Sequence, residues 1–543
     1  MLAFIDAVRF DTVPPEPIAM PRNAATKSFC ARLRPSALAI ALTTLLSGLS
    51  GCREDSSGAA GPNVILISLD SCRPDHLSAY GYSRPTSPRL DELAARGTLF
   101  ENCFSSTSWT LPAHMALFTS LPDTAHGVYD NGQPPLDPYR VVLAQQFKAR
   151  GYATAGFVSG PYLHPAFGFD RGFDEYFNCT SYLDAKDFTD SRFREFKADA
   201  HRESHRDVTN PRLFEKVHQW LDARGPEPFF AFVHVWDIHY DYTPPPPYDT
   251  LFDPGYTGPI TGANFEKNPA IHPKMDKRDL EHVIALYDGE IACTDEYLGK
   301  LFDEIDARGL RERTLIVVTA DHGEEFFEHG SKGHQKSLFE EVLRIPLIVS
   351  WPGRVPAGLR VKEQSRIIDI APTIAELCGL PVNREGVGKS LVPSFDGRGR
   401  DLPAYAELEL ATAGASLRSV RTPDYKIVWN NRRNRGNLFE IATDPGEREP
   451  RTGDSKYAEI AIKYLREWNA FVDQLAQSLP RSKGEAAAAP PEAVIEHLRT
   501  LGYIGDRPPG APPISTTPPE PPHVGGLSGS DPAERDGEGD EPK

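Results

Sequence analysis

The amino-acid sequence predicts an α/β protein in which helices sandwich a central, mostly parallel sheet and a smaller antiparallel-sheet subdomain follows. Short, nearly continuous apolar runs, such as "NVILISLD" at residues 63–70, are typical of strands buried on both faces of a parallel sheet. Segments with helical spacing separate these runs, as expected when strands and helices alternate along the chain. From about Pro403 the sequence pattern changes. Two strand-like segments followed by one helix there predict the antiparallel subdomain.

The individual elements follow from the same patterns. Strands of the central sheet are predicted at residues 63–70, 153–159, 228–237, 313–321 and 344–352. Helices are predicted within residues 87–100, over 112–121 with a proline in the first turn, and over 282–309. In the C-terminal part, strands are predicted at residues 416–430 and 437–447, and a helix at 456–479.

Length and composition set the domain organisation. The 543 residues are enough for one large domain and a smaller one. We expect a signal region at 1–52, a flexible tether at 53–62, the main α/β domain at 63–402, the α+β subdomain at 403–504 and a disordered Pro-rich, acidic tail at 505–543. The formal net charge of −17 argues against nucleic acid as a partner, because phosphate contacts need a basic face.

The first 52 residues predict export. Arg32 and Arg34 precede an apolar stretch at residues 38–46 that is short for a membrane span. Met20 is a candidate for the true start, since residues 1–19 add nothing that a signal peptide needs. The run ends in "LSGC", which resembles the bacterial lipobox and implies a lipidated Cys52. We therefore expect a membrane-anchored lipoprotein that faces the periplasm or the cell exterior. The alternative is a plain membrane anchor or a chance apolar run.

Acidic residues end two of the predicted strands and suggest a site. Asp70 and Asp321 both follow buried strands, and His322 follows the second; in an open α/β sheet these carboxyl ends lie together at one edge. Thr110 stands at the start of the predicted helix 112–121, where the helix dipole and unpaired N–H groups favour anions. A hydroxyl there suits a nucleophile that attacks phosphorus or sulfur, although this stretch taken alone is better explained by an ordinary N-cap.

Several segments together resemble the sulfatase family of the alkaline phosphatase superfamily, over roughly residues 63–505. They lie in the family's order at residues 63–82, 106–128, 229–248, 319–349, 367–380 and 437–447. The resemblance implies the alkaline phosphatase/sulfatase-like fold and a hydrolase of phosphoric or sulfuric esters. In that family the first strand ends in a metal-binding aspartate, here Asp70, and the nucleophile lies in a Cys-x-Pro-x-Arg element, which aligns with residues 110–114.

The chain departs from that pattern in ways that bear on its chemistry. Thr110 occupies the cysteine position and cannot be converted to formylglycine, and His114 replaces the arginine. Ser71 stands in place of a second aspartate, and Gln335 in place of a lysine. The segment "SCRPDH", which contains Cys72, is superficially similar to the Cys-x-Pro-x-Arg element. We expect Cys72 only to line the pocket or to pack beside it.

The resemblance also implies the ligands of two divalent metal ions. Carried over position by position, the first ion is held by Asp70, Thr110, Asp321 and His322, and the second by Asp237, His239 and His334. Imidazole in place of oxygen donors favours zinc or manganese, with a single calcium as the alternative. A structural hydrogen bond is the alternative role for Asp237 and His239, and His329 is interpreted as a loop residue.

The expected activity is hydrolysis of phosphate mono- or diesters, with Thr110 as nucleophile. His114 either contacts the substrate oxyanion or orients the loop. Three alternatives remain open: a sulfatase that uses unmodified Thr110, a transferase that moves a phospho-headgroup between lipids, and a binding or structural protein that has lost catalysis. The sequence identifies no substrate beyond a small-molecule, lipid or glycan ester.

Overall fold

The computed structural model describes residues 61–129, 135–180, 207–410, 415–482 and 521–528. The predicted signal region, most of the tether and most of the predicted tail lie outside these residues. The strands are β1 (Asn63–Leu69), β2 (Thr98–Phe104), β3 (Ala153–Val158), β4 (Glu175–Asn178), β5 (Phe229–Val235), β6 (Thr314–Ala320), β7 (Glu325–Phe326), β8 (Lys332–Gly333), β9 (Arg344–Ser350), β10 (Leu359–Val361), β11 (Ser365–Arg366), β12 (Ala404–Leu410), β13 (Ala415–Arg421), β14 (Lys426–Asn430) and β15 (Arg435–Phe439). The α-helices are α1 (Pro88–Ala95), α2 (Thr110–Thr119), α3 (Asp123–His126), α4 (Leu143–Lys148), α5 (Asn210–Asp222), α6 (Lys277–Ala307), α7 (Glu340–Leu343), α8 (Ile370–Leu377) and α9 (Ala458–Ser478).

A mostly parallel sheet forms the centre of the molecule, as predicted. Within the described residues nine strands form it, in the order β10-β2-β9-β6-β1-β5-β3-β4, with β11 also paired to β2. Strand β1 lies between β5 and β6 and is parallel to both, whereas β9 runs antiparallel to its neighbours β2 and β6. Every residue of β1, β5 and β6 is buried, which explains why these segments are apolar almost throughout.

Helices cover the sheet, and a second sheet adjoins it. The long helix α6 packs against α1 and α5, and α2 packs against α8. Strands β12 to β15 form an antiparallel sheet in sequential order, on which α9 packs, and this confirms the predicted C-terminal architecture. Strand β12 contacts the segment before α2, because the N–H of Glu407 donates to the carbonyl of Ser106 at 2.8 Å. The second sheet thus supports the loop that leads to Thr110.

Two features of the fold concern the location of a site. Asp70 follows β1 and Asp321 follows β6, and the two strands pair in parallel register up to Leu69 and Ala320. Both carboxylates therefore emerge at the same edge of the sheet, as expected from the sequence. Among the helices of the described residues, none has the length and apolar character that crossing a membrane would require.

Candidate active site

Thr110 is the first residue of α2, and its hydroxyl points into the site. Trp109, not Thr110, is the N-cap, and no side-chain hydrogen bond caps the helix. Oγ1 of Thr110 lies 3.4 Å from Oδ2 of Asp70 and 3.3 Å from Nε2 of His322. The N-cap interpretation of Thr110 is therefore wrong in this structure, because the hydroxyl is directed at Asp70 and His322 and not at its own helix.

A tight turn after β1 holds the two aspartates together. Ser71 adopts a left-handed conformation, with φ of 57°, which directs its N–H to Oδ1 of Asp321 at 3.2 Å. The hydroxyl of Ser71 donates to Oδ1 of Asp70 at 3.0 Å. Burial raises the pKa of Asp70 to about 6, against the opposing influence of His322. Oδ2 of Asp321 is buried and has no hydrogen-bond partner among the described residues.

Two imidazoles turn one nitrogen each towards these carboxylates. Nδ1 of His322 donates to the carbonyl of Gly323 at 2.8 Å, so Nε2 carries the lone pair, and it lies 3.4 Å from Oδ2 of Asp321. Nδ1 of His234 donates to the carbonyl of Ser159 at 2.7 Å, and its Nε2 lies 3.1 Å from Oδ2 of Asp70. Burial lowers the pKa of His234 to about 4, so this ring is neutral at pH 7.

Sequence reasoning missed His234. The signal was present, since His234 is the one polar side chain in the buried strand "FFAFVHV", and it pairs in register with Ser68, two residues before Asp70. The family pattern instead indicates Asp237 and His239, which lie beyond the end of the strand.

The donor set fits a divalent transition metal. Ligand atoms of Asp70, Asp321 and His322 all lie within 4.8 Å of one another, as do those of His114, His234 and Asp321. Carboxylate oxygens and imidazole lone pairs face each other here without a proton between them, and Oδ2 of Asp321 has no hydrogen-bond partner within the part of the chain that the structure describes. Both features are unfavourable unless a cation lies among these atoms. Mixed nitrogen and oxygen donors suit zinc or manganese better than calcium.

His114 lies one helical turn after Thr110 and makes two hydrogen bonds. Nδ1 donates to the carbonyl of Thr110 at 2.8 Å, and Nε2 lies 2.9 Å from the hydroxyl of Ser68. The ring is fully buried, and burial lowers its pKa to about 3, so it is neutral. This geometry favours an orienting role over substrate contact, although His114 also belongs to the second group of close ligand atoms.

The three residues predicted for a second ion are brought together only in part. The rings of His239 and His334 lie 5.0 Å apart, and that of His334 lies 4.4 Å from His322. The carboxylate of Asp237 instead caps α5, where it accepts hydrogen bonds from the hydroxyl and N–H of Thr209 and from the N–H of Asn210 at 2.5–2.9 Å. These contacts favour a structural role for Asp237, and the second metal ion stays a prediction.

The remaining candidates occupy structural positions. Cys72 is fully buried, and burial raises the pKa of its thiol, so a thiolate nucleophile is disfavoured. Nδ1 of His329 lies 2.6 Å from a carboxylate oxygen of Glu341, which agrees with its interpretation as a loop residue. Lys336, which follows Gln335 by one residue, pairs through Nζ with Glu266 at 2.9 Å.

Known proteins resemble this chain along most of its length. A model of the sulfatase family matches residues 62–380, more than half of the chain, and a model of the C-terminal part of N-sulphoglucosamine sulphohydrolase matches residues 328–474. The Delta 4,5-hexuronate-2-O-sulfatase of Bacteroides thetaiotaomicron is 24% identical over 508 residues, which cover 86% of this chain and 98% of that protein.

Two further relatives are not named sulfatases. A multifunctional alkaline phosphatase superfamily protein of Trinickia caryophylli is 24% identical over 488 residues, covering 74% of this chain and 94% of that protein. The crystal structure of a phosphonate monoester hydrolase of Agrobacterium radiobacter superimposes with a TM-score of 0.60 at 25% identity, covering 76% of this chain and 96% of that one. The similarity thus spans relatives named for sulfur chemistry and for phosphorus chemistry.

Proposed function

The chain belongs to the sulfatase family, and from that premise we propose that it is a metal-dependent hydrolase of phosphate mono- or diesters with Thr110 as its nucleophile. That it is an ester hydrolase follows from the family and from its relatives. The observation that carries the finer proposal is the position of the Thr110 hydroxyl at the start of α2, within 3.4 Å of both Asp70 and His322.

The chain's own residues account for most of the proposed reaction. Asp70, Asp321, His322 and His234 would hold a divalent ion, which when bound would supply positive charge that lowers the pKa of the hydroxyl and stabilises the oxyanion. Oγ1 of Thr110 attacks phosphorus, the P–O bond to the leaving group breaks, and the departing oxygen takes up a proton. Water then attacks phosphorus and gives up a proton, the bond to Oγ1 breaks and Oγ1 takes up a proton. The threonine hydroxyl is thereby regenerated, and a monoester substrate releases phosphate whereas a diester substrate releases a phosphate monoester.

Threonine in place of cysteine changes how the covalent intermediate must be cleaved. A formylglycine hydrate has a second hydroxyl, so it can expel the bound sulfate by breaking its own C–O bond. Thr110 has a single hydroxyl, so its ester must be cleaved by water attacking phosphorus or sulfur directly. A site built from carboxylates and imidazoles at a helix N-terminus suits that second displacement.

A sulfate-ester hydrolase that uses unmodified Thr110 is the second candidate. It is favoured by the family model and by the sulfatase names of many relatives, among them the Delta 4,5-hexuronate-2-O-sulfatase. Under either activity the substrate would be an ester of a small molecule, a lipid or a glycan. We also propose that the protein is exported and lipid-anchored at Cys52, which lies outside the described residues.

A single set of assays tests the proposal. The purified mature chain is analysed for bound metal and then offered aryl phosphate monoester, aryl phosphate diester and aryl sulfate in parallel, with Thr110→Ala as the blank. We expect kcat/KM for one of the phosphate esters to exceed that for the sulfate. A higher kcat/KM for the sulfate would select the second candidate, and turnover that Thr110→Ala retains would refute both.

A further inference from the structure

Tyr287, near the middle of α6, makes two hydrogen bonds to the backbone of the turn that follows β1. Its hydroxyl donates to the carbonyl of Ser71 at 2.8 Å and accepts from the N–H of Arg73 at 2.9 Å. These two groups belong to the peptide units on either side of Cys72, so one hydroxyl fixes both units relative to each other. Tyr287 is fully buried, which shields the two hydrogen bonds from water.

The turn needs such support because of the conformation of Ser71. The N–H of Cys72 donates to the carbonyl of Leu69 at 3.3 Å, which makes Ser71 the third residue of a tight turn. The φ of Ser71 is 57°, a left-handed value that is unfavourable for a residue with a Cβ atom and is usually adopted by glycine or asparagine. Its surroundings must therefore hold Ser71 in this conformation.

The conformation of Ser71 determines how two of the proposed metal ligands are held. Its N–H donates to Oδ1 of Asp321 at 3.2 Å, and its hydroxyl donates to Oδ1 of Asp70 at 3.0 Å. The angle φ is the rotation about the bond between N and Cα, so a different φ would move the hydroxyl of Ser71 relative to its N–H. The two carboxylates would then no longer be held by one residue in this geometry.

Tyr287 is itself held by its neighbours. Its ring makes edge-to-face contacts with Tyr242, Phe326 and His76, at centroid distances of 5.4, 5.1 and 5.1 Å. Oδ1 of the next residue of α6, Asp288, lies 2.7 Å from Nδ1 of His76. Two consecutive residues of α6 thus contact the segment that follows β1, and the tyrosine hydroxyl is presented to the turn from a rigid element.

We propose that Tyr287 is a positioning residue: its hydroxyl holds Ser71 in the left-handed conformation and thereby keeps the two aspartates that Ser71 contacts in the arrangement that binds metal. The hydrogen bonds of Tyr287 within the described residues go to the backbone of the turn, so its effect on the aspartates passes through Ser71. The proposal rests on the proposed function where it concerns metal binding, whereas the conformation of the turn depends on no metal or substrate.

Metal affinity tests the proposal without an activity assay. The affinity of the purified mature chain for zinc is measured by chelator competition, with Tyr287→Phe as the variant that removes only the hydroxyl. We expect the affinity to fall at least about tenfold, the usual scale for loss of a group that supports a metal ligand. Tyr80→Phe is the matched control and should leave the affinity unchanged. Its hydroxyl also joins an N–H to a carbonyl, those of Leu347 and Phe100 at 2.7 and 3.2 Å, but between β9 and β2.

Ser71→Gly distinguishes this role from packing. The substitution removes the hydroxyl that contacts Asp70, but glycine adopts a φ of about 57° without a steric cost. In a Ser71→Gly background, Tyr287→Phe should therefore lower the zinc affinity less than about threefold. Equal losses in both backgrounds, an equal loss for Tyr80→Phe, or an unchanged affinity in Tyr287→Phe would overturn the positioning role. If Tyr287→Phe alone does not fold, the double variant is compared with Ser71→Gly, and a tenfold difference between these two would overturn it.

A crystal structure of metal-free Tyr287→Phe separates this inference from the proposed function. We expect Ser71 to leave the left-handed region, or its N–H to move beyond hydrogen-bond distance of Oδ1 of Asp321. An unchanged turn in that crystal structure would overturn the proposal. If the unaltered chain binds no zinc or other divalent ion, the metal-dependent function fails, and the crystal structure still decides whether Tyr287 holds the turn.

Discussion

Nε2 of His234 lies 3.1 Å from Oδ2 of Asp70, although Nδ1 of the same ring donates to the carbonyl of Ser159. With the imidazole neutral, a lone pair therefore faces a carboxylate oxygen inside a fully buried site. Such a contact is repulsive unless a cation lies between the two atoms. This pair is the reason for adding His234 to the metal ligands inferred from the sequence.

His234→Asn tests that assignment. The shorter amide keeps a donor for the carbonyl of Ser159 but removes Nε2. We expect metal affinity, measured by chelator competition, to fall at least about tenfold, because even groups that merely support a ligand cost that much when removed. His114→Asn is the matched control, and it should retain the metal if His114 only orients Thr110. Unchanged affinity in His234→Asn would remove His234 from the ligand set.

The sequence predicted the architecture well because buried strands carry a strong signal. The runs that became β1, β5 and β6 are apolar almost throughout, and the ends of β1 and β6 placed Asp70 and Asp321 at one edge. The direction of β9 could not be predicted, since its run "RIPLIVS" reads the same for a parallel or an antiparallel neighbour. Strands as short as β10 have too few residues to show a period.

The site was predicted less completely, for a physical reason. Residues at strand ends can be placed from topology, but whether a side chain coordinates or caps depends on neighbours far away in the chain. Asp237 illustrates this, because the N–H groups that occupy its carboxylate belong to α5, about 28 residues earlier. His234 illustrates the converse, since its partner Asp70 lies 164 residues away.

The raised pKa of Asp295 predicts that the free energy of unfolding depends on pH. From α6 its carboxylate accepts the N–H groups of Arg89 and Leu90 at 2.8 and 2.9 Å, at the start of α1, and burial raises its pKa to about 7. The unfolded value is about 3.9. Between these values the folded chain binds more protons than the unfolded chain, so this group lowers the free energy of unfolding as pH rises from about 4 to 7.

Asp295→Asn removes that titration. Thermal unfolding should show the variant losing stability at pH 5, where one N–H loses its oxygen acceptor at a cost of about 1 kcal/mol. Relative to the unaltered chain, the variant should become more stable as pH rises to 8. A pH-independent difference for Asp295→Asn would contradict the raised pKa.

The lipobox-like "LSGC" predicts a lipid anchor at Cys52. Cells that express the chain and are fed labelled palmitate should yield a labelled protein in the membrane fraction. Cys52→Ala should be unlabelled, because the alanine has no thiol to receive the lipid. Cys72→Ala is the control cysteine variant and should still be labelled. Persistent labelling of Cys52→Ala would exclude this site of lipidation.

Thr110 and Cys72 are the two residues considered as nucleophile, and kcat of their alanine variants distinguishes them. Thr110→Ala should lose at least about a thousandfold in kcat, as removal of a nucleophile generally does, while keeping its metal and its unfolding temperature. Thr110→Ser should keep appreciable activity, because it preserves the hydroxyl at the start of α2. Cys72→Ala should cost about 1 kcal/mol of stability and little activity, since the thiol is fully buried and its pKa is raised.

The comparison is read from kcat and metal content measured on the same preparations of all three variants and the unaltered chain, with mass spectrometry of the peptide that contains residue 72. The Thr110 nucleophile requires that Thr110→Ala keep its metal yet lose turnover, because a variant that loses both would only have lost a ligand. If Cys72→Ala is inactive and Thr110→Ala is active, or if an aldehyde is detected at residue 72, then the nucleophile is Cys72 and not Thr110. We expect the threonine ranking, because Oγ1 of Thr110 is the hydroxyl that lies 3.3 Å from His322 and 3.4 Å from Asp70.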